Sequence, residues 1–186
     1  AVAAEAALGR LEFAGELADA AAGWRGRLDR LQLVPSSGPT LGLVAPAAFR
    51  IGERLQLDRA CLVASEPGGQ LCASADGRRF DIDGEDLPLA LLQPWLQDDT
   101  GVAMQAVGTL QLQARLEQAS AGWGGTVELR SPSAGLRLAE DLEREIFGWR
   151  DLALDARLFP ADGGRIEARL RAALAAEGRI EARLDA

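Results

Sequence analysis

A chain of 186 residues with a formal net charge of −8, no histidine and only arginine for its positive charge excludes several functions at the outset. Binding to a phosphate backbone needs clustered Lys and Arg, and without histidine the commonest general base and metal ligand are gone. No segment reaches the roughly 18 unbroken apolar residues that span a bilayer, although 48% of the chain is hydrophobic, mostly Leu and Ala.

In chain order, Leu11 and Phe13 alternate with Arg10 and Glu12, and Trp24, Gly26 and Leu28 continue this period-two pattern of half-buried strands. Leu31 and Leu33 fall out of phase with Leu28, so a bulge is expected between them. Pro35-Ser36-Ser37-Gly38-Pro39 has the length of a single hairpin loop. Glu85 and Asp86 precede Leu87-Pro88-Leu89, a helix-start pattern that predicts a short amphipathic helix near 87–97. Such a helix packs Leu89, Leu92 and Leu96 on a sheet or across its open mouth, and Asp98-Asp99 forms a polar turn after it. The alternation then resumes in Leu110, Leu112, Ala114 and Leu116, in Val127 and Leu129, and in Leu136 and Leu138. Glu140 to Ile146 is expected to be a surface loop. Beyond it come Leu152, Leu154, Ala156 and Leu158, followed by Ile166, Ala168 and Leu170, and finally Ile180, Ala182 and Leu184. Each run opens at or near a glycine (Gly9, Gly26, Gly108, Gly125, Gly135, Gly164 and Gly178), and Gly-Arg-Ile-Glu-Ala-Arg-Leu occurs verbatim at 164–170 and 178–184. The pattern predicts an all-β, elongated, antiparallel-rich sheet extended serially by short turns.

Candidates for chemistry are few. Cys61 and Cys72 flank a strand, a turn at Glu66-Pro67-Gly68-Gly69 and a second strand. Folded as a hairpin, this segment sets the two cysteines opposite each other, within disulfide reach if the pair is non-hydrogen-bonded. The alternative is two buried, reduced thiols. An oxidised pair implies an oxidising compartment. Two sulfurs without histidine leave a tetrahedral metal site half empty, so no metal is expected. Asp81, Asp83, Glu85 and Asp86 lack the spacing of an EF-hand calcium loop and read as the solvated face of a strand plus a helix cap. No carboxylate pair stands out for acid–base work, so neither catalytic residues nor a cofactor are expected. Trp24, Trp123 and Trp149 adjoin glycines, as residues do that begin strands at one rim of a sheet; Trp95 belongs to the helix. Alongside ordinary packing, amphipathic rings at a rim suit the edge of a lipid-binding trough.

Taken together, many strands supply Leu, Ile, Val or Ala to one face while helices to cover it are missing. Such a face needs a second layer. It can close as a sandwich or barrel that merely spaces other domains, or curl on itself and leave a dry groove for acyl chains.

Trp24-Arg25-Gly26-Arg27-Leu28, the Ala60-Cys61-Leu62 and Gln70-Leu71-Cys72 pair, Leu87-Pro88-Leu89 leading to Gln93-Pro94-Trp95-Leu96, Val107-Gly108-Thr109-Leu110 and Trp123-Gly124-Gly125-Thr126-Val127 occur in this order. In that order the chain resembles the TamB family of AsmA-like, bridge-like lipid-transfer proteins, over most of its length. The resemblance implies a β-taco with an apolar interior and a polar exterior. It also implies a location in the periplasm, as a slice of an inner-membrane-anchored envelope protein of Gram-negative bacteria. Both ends then read as cut from a longer chain. The implied function is non-enzymatic phospholipid transport between inner and outer membrane, in outer-membrane biogenesis. The alternative is a translocation and assembly module that works with the outer-membrane barrel TamA, assembling outer-membrane proteins and secreted autotransporters by templating client strands. Partners expected on these readings are phospholipid acyl chains, TamA through the full-length protein, and client strands; nucleic acid is not among them. The groove residues are Leu110, Leu112, Val127, Leu129, Leu136, Leu138, Leu152, Leu154, Ile166, Leu170, Ile180 and Leu184.

Overall fold

A computed structural model describes residues 2–6, 9–21, 23–66, 68–96, 104–138, 141–162, 164–175 and 177–186. The alternating pattern folds into a single 13-stranded antiparallel sheet. Its strands are β1 (Val2–Ala6), β2 (Gly9–Ala20), β3 (Gly23–Pro35), β4 (Leu41–Leu43), β5 (Ala47–Ile51), β6 (Leu55–Ala64), β7 (Gln70–Asp76) and β8 (Arg79–Pro88). After them come β9 (Met104–Ala119), β10 (Gly122–Leu138), β11 (Asp141–Phe159), β12 (Arg165–Leu174) and β13 (Arg179–Asp185). Strands neighbour one another almost in chain order, with β4 and β5 sharing the space between β3 and β6. Among the described residues the curled sheet does not close: β1 pairs only with β2 and β13 only with β12.

Several strands are longer than the glycine-bounded runs suggest. The pairs Val127/Leu129 and Leu136/Leu138 lie on one 17-residue strand, β10, interrupted by a bulge at Ser131-Pro132-Ser133. Proline has no N–H for a ladder, and bulges are where strands tolerate it. There the buried Ser131 hydroxyl donates to the Thr109 carbonyl at 2.8 Å, satisfying an acceptor that the interrupted ladder leaves over. Asp151, at φ 52°, makes the matching irregularity in β11. These bulges change the parity of the side chains and so keep apolar positions on one face, odd-numbered before the β10 bulge and even-numbered after it. The bulge expected between Leu28 and Leu31 is present too: Gly15 pairs with Leu28 and Ala14 with Arg30, which leaves Asp29 as the extra residue.

Two local expectations are corrected. Leu87 and Pro88 still belong to β8, and the helical segment is a 3-10 turn, Leu89–Leu92, running into one α-turn, α1 (Gln93–Leu96). Glu85 and Asp86 do not cap it. They form a bulge in β8 with Asp86 at φ 48°, and the residue before the turn is Pro88, which makes no side-chain cap. Asp141 to Ile146 is strand rather than loop, because β11 continues against the end of β10. Asp98, Asp99 and Glu140 lie outside the described residues.

Candidate functional site

In an antiparallel pair, residues directly opposite each other point to the same face. The register therefore assembles apolar rungs across many strands. One runs Leu43–Leu62–Leu71–Gly84–Leu112–Leu129–Leu154–Leu170–Ala182, from β4 to β13. A second runs Ala60–Ala73–Ile82–Ala114–Val127–Ala156–Ala168–Leu184. A third, at the end away from the helical turn, runs Phe49–Leu57–Ala75–Phe80–Leu116–Gly125–Leu158–Ile166. Leu110, Leu136, Leu138, Leu152 and Ile180 join the same face, so all twelve residues expected in the groove share it. The alternate residues form a polar face, where Arg130 pairs with Asp155 and Glu128, and Arg171 reaches Asp155 at 3.5 Å. Being solvent-exposed, these pairs fix charge order more than they add stability.

The apolar face is only partly covered. None of the twelve groove residues is buried, and Ile166, Ile180 and Leu184 are 37%, 37% and 57% exposed. Among the described residues the buried hydrophobics are mostly alanines, with Leu41, Leu87 and Leu89 the only leucines. Total accessible surface is 12031 Å², against about 8,600 Å² for a compact monomer of this length. A surface concavity of about 690 Å³ lies elsewhere, among Glu16, Arg25, Arg27, Arg50 and Asp58. The apolar face is a broad open trough rather than a cavity.

Among the described residues, one end of the trough is packed. Leu89, 4% exposed, sits on Ala106 and Ala134, with Leu110, Leu136 and Trp149 against them. Gln93 fixes this plug to β9: its side-chain amide donates to the Met104 carbonyl, and the Ala106 N–H donates to its Oε1 at 3.1 Å. One glutamine thus takes the place of a neighbouring strand at that end of β9. The hairpin loop packs there as well, with Gly38 so close to Ala90 that a Cβ would stand 2.4 Å from its carbonyl oxygen. The Ser65 N–H bonds the Thr40 carbonyl at 2.8 Å, stitching the loop to the β6–β7 turn. Leu92, expected on the sheet, is instead 44% exposed, because the turn is too short to direct more than Leu89 inward. The side chains of Trp95 and Leu96 lie outside the described residues.

The tryptophans divide between the two ends. Trp24 and Trp123 begin β3 and β10 at the open rim, 50% and 43% exposed, and Trp123 meets Phe80 edge-on at 5.9 Å. Trp149 does not begin a strand. It lies within β11, between Ala134 and Leu174, at the packed end.

Cys61 and Cys72 are paired across β6 and β7 and joined by a disulfide, with Cα atoms 4.0 Å apart. The Ala64 N–H bonds Gly69 O, so alternation along the ladder makes Cys61/Cys72 a non-hydrogen-bonded pair, where strands come closest. In the register the pair is followed by Asp83, Gln113 and Glu128, so it lies on the polar face, outside the trough. Among the described residues no group of three or more Cys, Asp or Glu is placed to hold a metal ion, and no helix is long and apolar enough to cross a membrane. No family model, curated protein or solved structure matches this chain.

Proposed function

We propose that the trough is a non-enzymatic path for phospholipid acyl chains, a segment of an AsmA-like conduit in the periplasm that serves outer-membrane biogenesis. One observation carries this reading: apolar rungs cross the sheet without a break, and none of the twelve groove residues is buried. Burial of acyl CH₂ groups drives entry at about 0.8 kcal/mol each. An open trough leaves the headgroups in water, so no headgroup pocket is needed. Disulfide staples suit an oxidising compartment, and the Cys61–Cys72 pair supports the periplasmic location.

Native mass spectrometry with organic extraction of the purified chain tests the proposal. Phospholipid is expected to co-purify, and Leu129→Arg or Leu154→Arg, at directly opposed positions of one rung, should remove it. Lipid retained in full by both variants would overturn the reading. A second reading is client-strand templating at a strand edge of the sheet, in company with TamA. It predicts loss of function from proline at that edge rather than from arginine in the trough.

A further inference from the structure

On the polar face, directly opposed side chains stand with Cβ atoms about 4.5–5.5 Å apart, and like charges so placed repel each other. Glu128 and Asp155 are one such pair. The chain neutralises it with a cation of its own, since the Arg130 guanidinium pairs with both carboxylates. Arg169 and Arg183, also opposed, have Asp155 beside them in the same row. Arg25 of β3 and Arg50 of β5 form a like-charge pair with no such neighbour. Their row runs Ala18–Arg25–Arg50–Gln56–Asp76, so the side chains that directly flank the two arginines are a methyl group and an amide. The Asp76 carboxylate, at the far end, accepts from the backbone N–H groups of Arg78 and Arg79. Among the described residues no carboxylate pairs with Arg25 or Arg50.

Both arginines are exposed and line the concavity of about 690 Å³. The third arginine there, Arg27, is already held by Asp29 at 2.6 Å. The two acids stand off the row: Glu16 faces Arg27, and Asp58 lies two residues along β6 from Gln56. With three arginines to two acids, the concavity is locally basic in a chain of net charge −8. A guanidinium presents a planar fork of N–H donors that matches two phosphate oxygens, and two forks side by side can hold one phosphate group. We propose that Arg25 and Arg50 form a binding site for the phosphate group of a phosphate ester, the counter-ion that the chain does not itself supply. The Gln56 amide, next in the row, adds a further donor. A lipid headgroup and a soluble phosphate ester share this chemistry. Trp24, Phe49 and Ile51, the sequence neighbours of the pair, belong to the apolar face, so the site is on the opposite side of the sheet and stands apart from what the trough binds.

Titration of the isotope-labelled chain with inorganic phosphate tests the site, at an ionic strength held constant with chloride. Amide resonances around Arg25 and Arg50 should shift saturably, with half-saturation on the order of 1 mM. Arg25→Gln and Arg50→Gln should each weaken binding at least about tenfold, because each removes one of the two forks. Arg115→Gln, at a position that faces Asp81 across the strands, should leave it unchanged. Arg25→Glu supplies the missing anion from within the chain. It should abolish phosphate binding and raise the urea midpoint of the phosphate-free protein, whereas phosphate should raise the midpoint of the parent and not of this variant. Vesicles separate the two sources. Capture of the chain on phosphatidylglycerol vesicles that is lost in Arg25→Gln assigns a lipid headgroup. Phosphate binding with no arginine-dependent capture assigns a soluble ester, and either result supports the site. No saturable shift up to about 10 mM phosphate, equal affinity in the parent and both glutamine variants, or a phosphate-dependent midpoint in Arg25→Glu would each overturn the proposal.

Discussion

The two ends of the trough are built from the same alternating Leu and Ala, yet they differ in what lies over them. At the packed end, a 3-10 turn lays Leu89 on Ala106 and Ala134, and Gln93 ties that turn to the strand beneath. Toward β12 and β13 the neighbouring rungs run on without that turn above them, the one through Val127, Ala156 and Ala168 ending at Leu184, 57% exposed. Apolar periodicity alone therefore does not make a core. One short covering element decides whether a stretch of this sheet becomes stable interior or accessible surface.

The sharpest way to break this comparison is to remove one leucine from each end. Leu89→Ala should cost about 2–4 kcal/mol in urea unfolding, because it leaves a void under the turn. Leu184→Ala should cost under about 0.5 kcal/mol, since its side chain is already largely in water. Equal costs would mean that the open end is covered in solution. Next in size is the disulfide: reducing it, or Cys61→Ala with Cys72→Ala, should cost about 2–3 kcal/mol for so short a loop. Because the bond lies on the polar face, lipid binding should persist wherever the sheet stays folded.

Gln93→Ala sharpens the description of the packed end. It strands the Ala106 N–H and the Met104 carbonyl, at about 1–2 kcal/mol. Amide exchange should accelerate at Ala106 and remain unchanged at Leu170. The smallest effect is expected at the open rim, in the β7–β8 turn. Backbone N–H groups of Arg79 and Arg78 donate to Asp76 and hold its carboxyl below the usual value of 3.8. A depressed folded-state pKa contributes stability that is fully present above the unfolded value and fades as pH falls through the lowered one. The amide resonances of Arg78 and Arg79 should therefore titrate at a pH below 3.8, and Asp76→Asn should abolish that transition.

Much of this architecture is legible in the sequence because a half-covered sheet imposes strict period-two alternation. The shared face of the twelve groove residues, the bulge at Asp29 and the opposition of Cys61 and Cys72 all follow from strand parity and hairpin register. The failures are equally physical. Glu85-Asp86 before a proline is as compatible with a bulge as with a helix cap, and only the pairing of β8 with β9 decides between them. Asp141 to Ile146 carries too many charges to read as strand, but an adjacent strand end supplies its pairing. Ser131-Pro132-Ser133 separated two apolar runs that belong to one strand, and a proline between runs of opposite parity was the available signal. The role of Gln93 was not legible, since a polar residue on a turn does not reveal which distant backbone groups it will satisfy.

The central claim is that one face of the sheet meets lipid and the other does not. Leu154 and Asp155 are neighbours in β11 that point to opposite faces. Placing a photoreactive side chain at each in turn, with phospholipid vesicles present, compares the two faces directly. Lipid adducts at 154 and none at 155 are the predicted result; equal labelling at both positions, or labelling at 155 alone, would contradict the account.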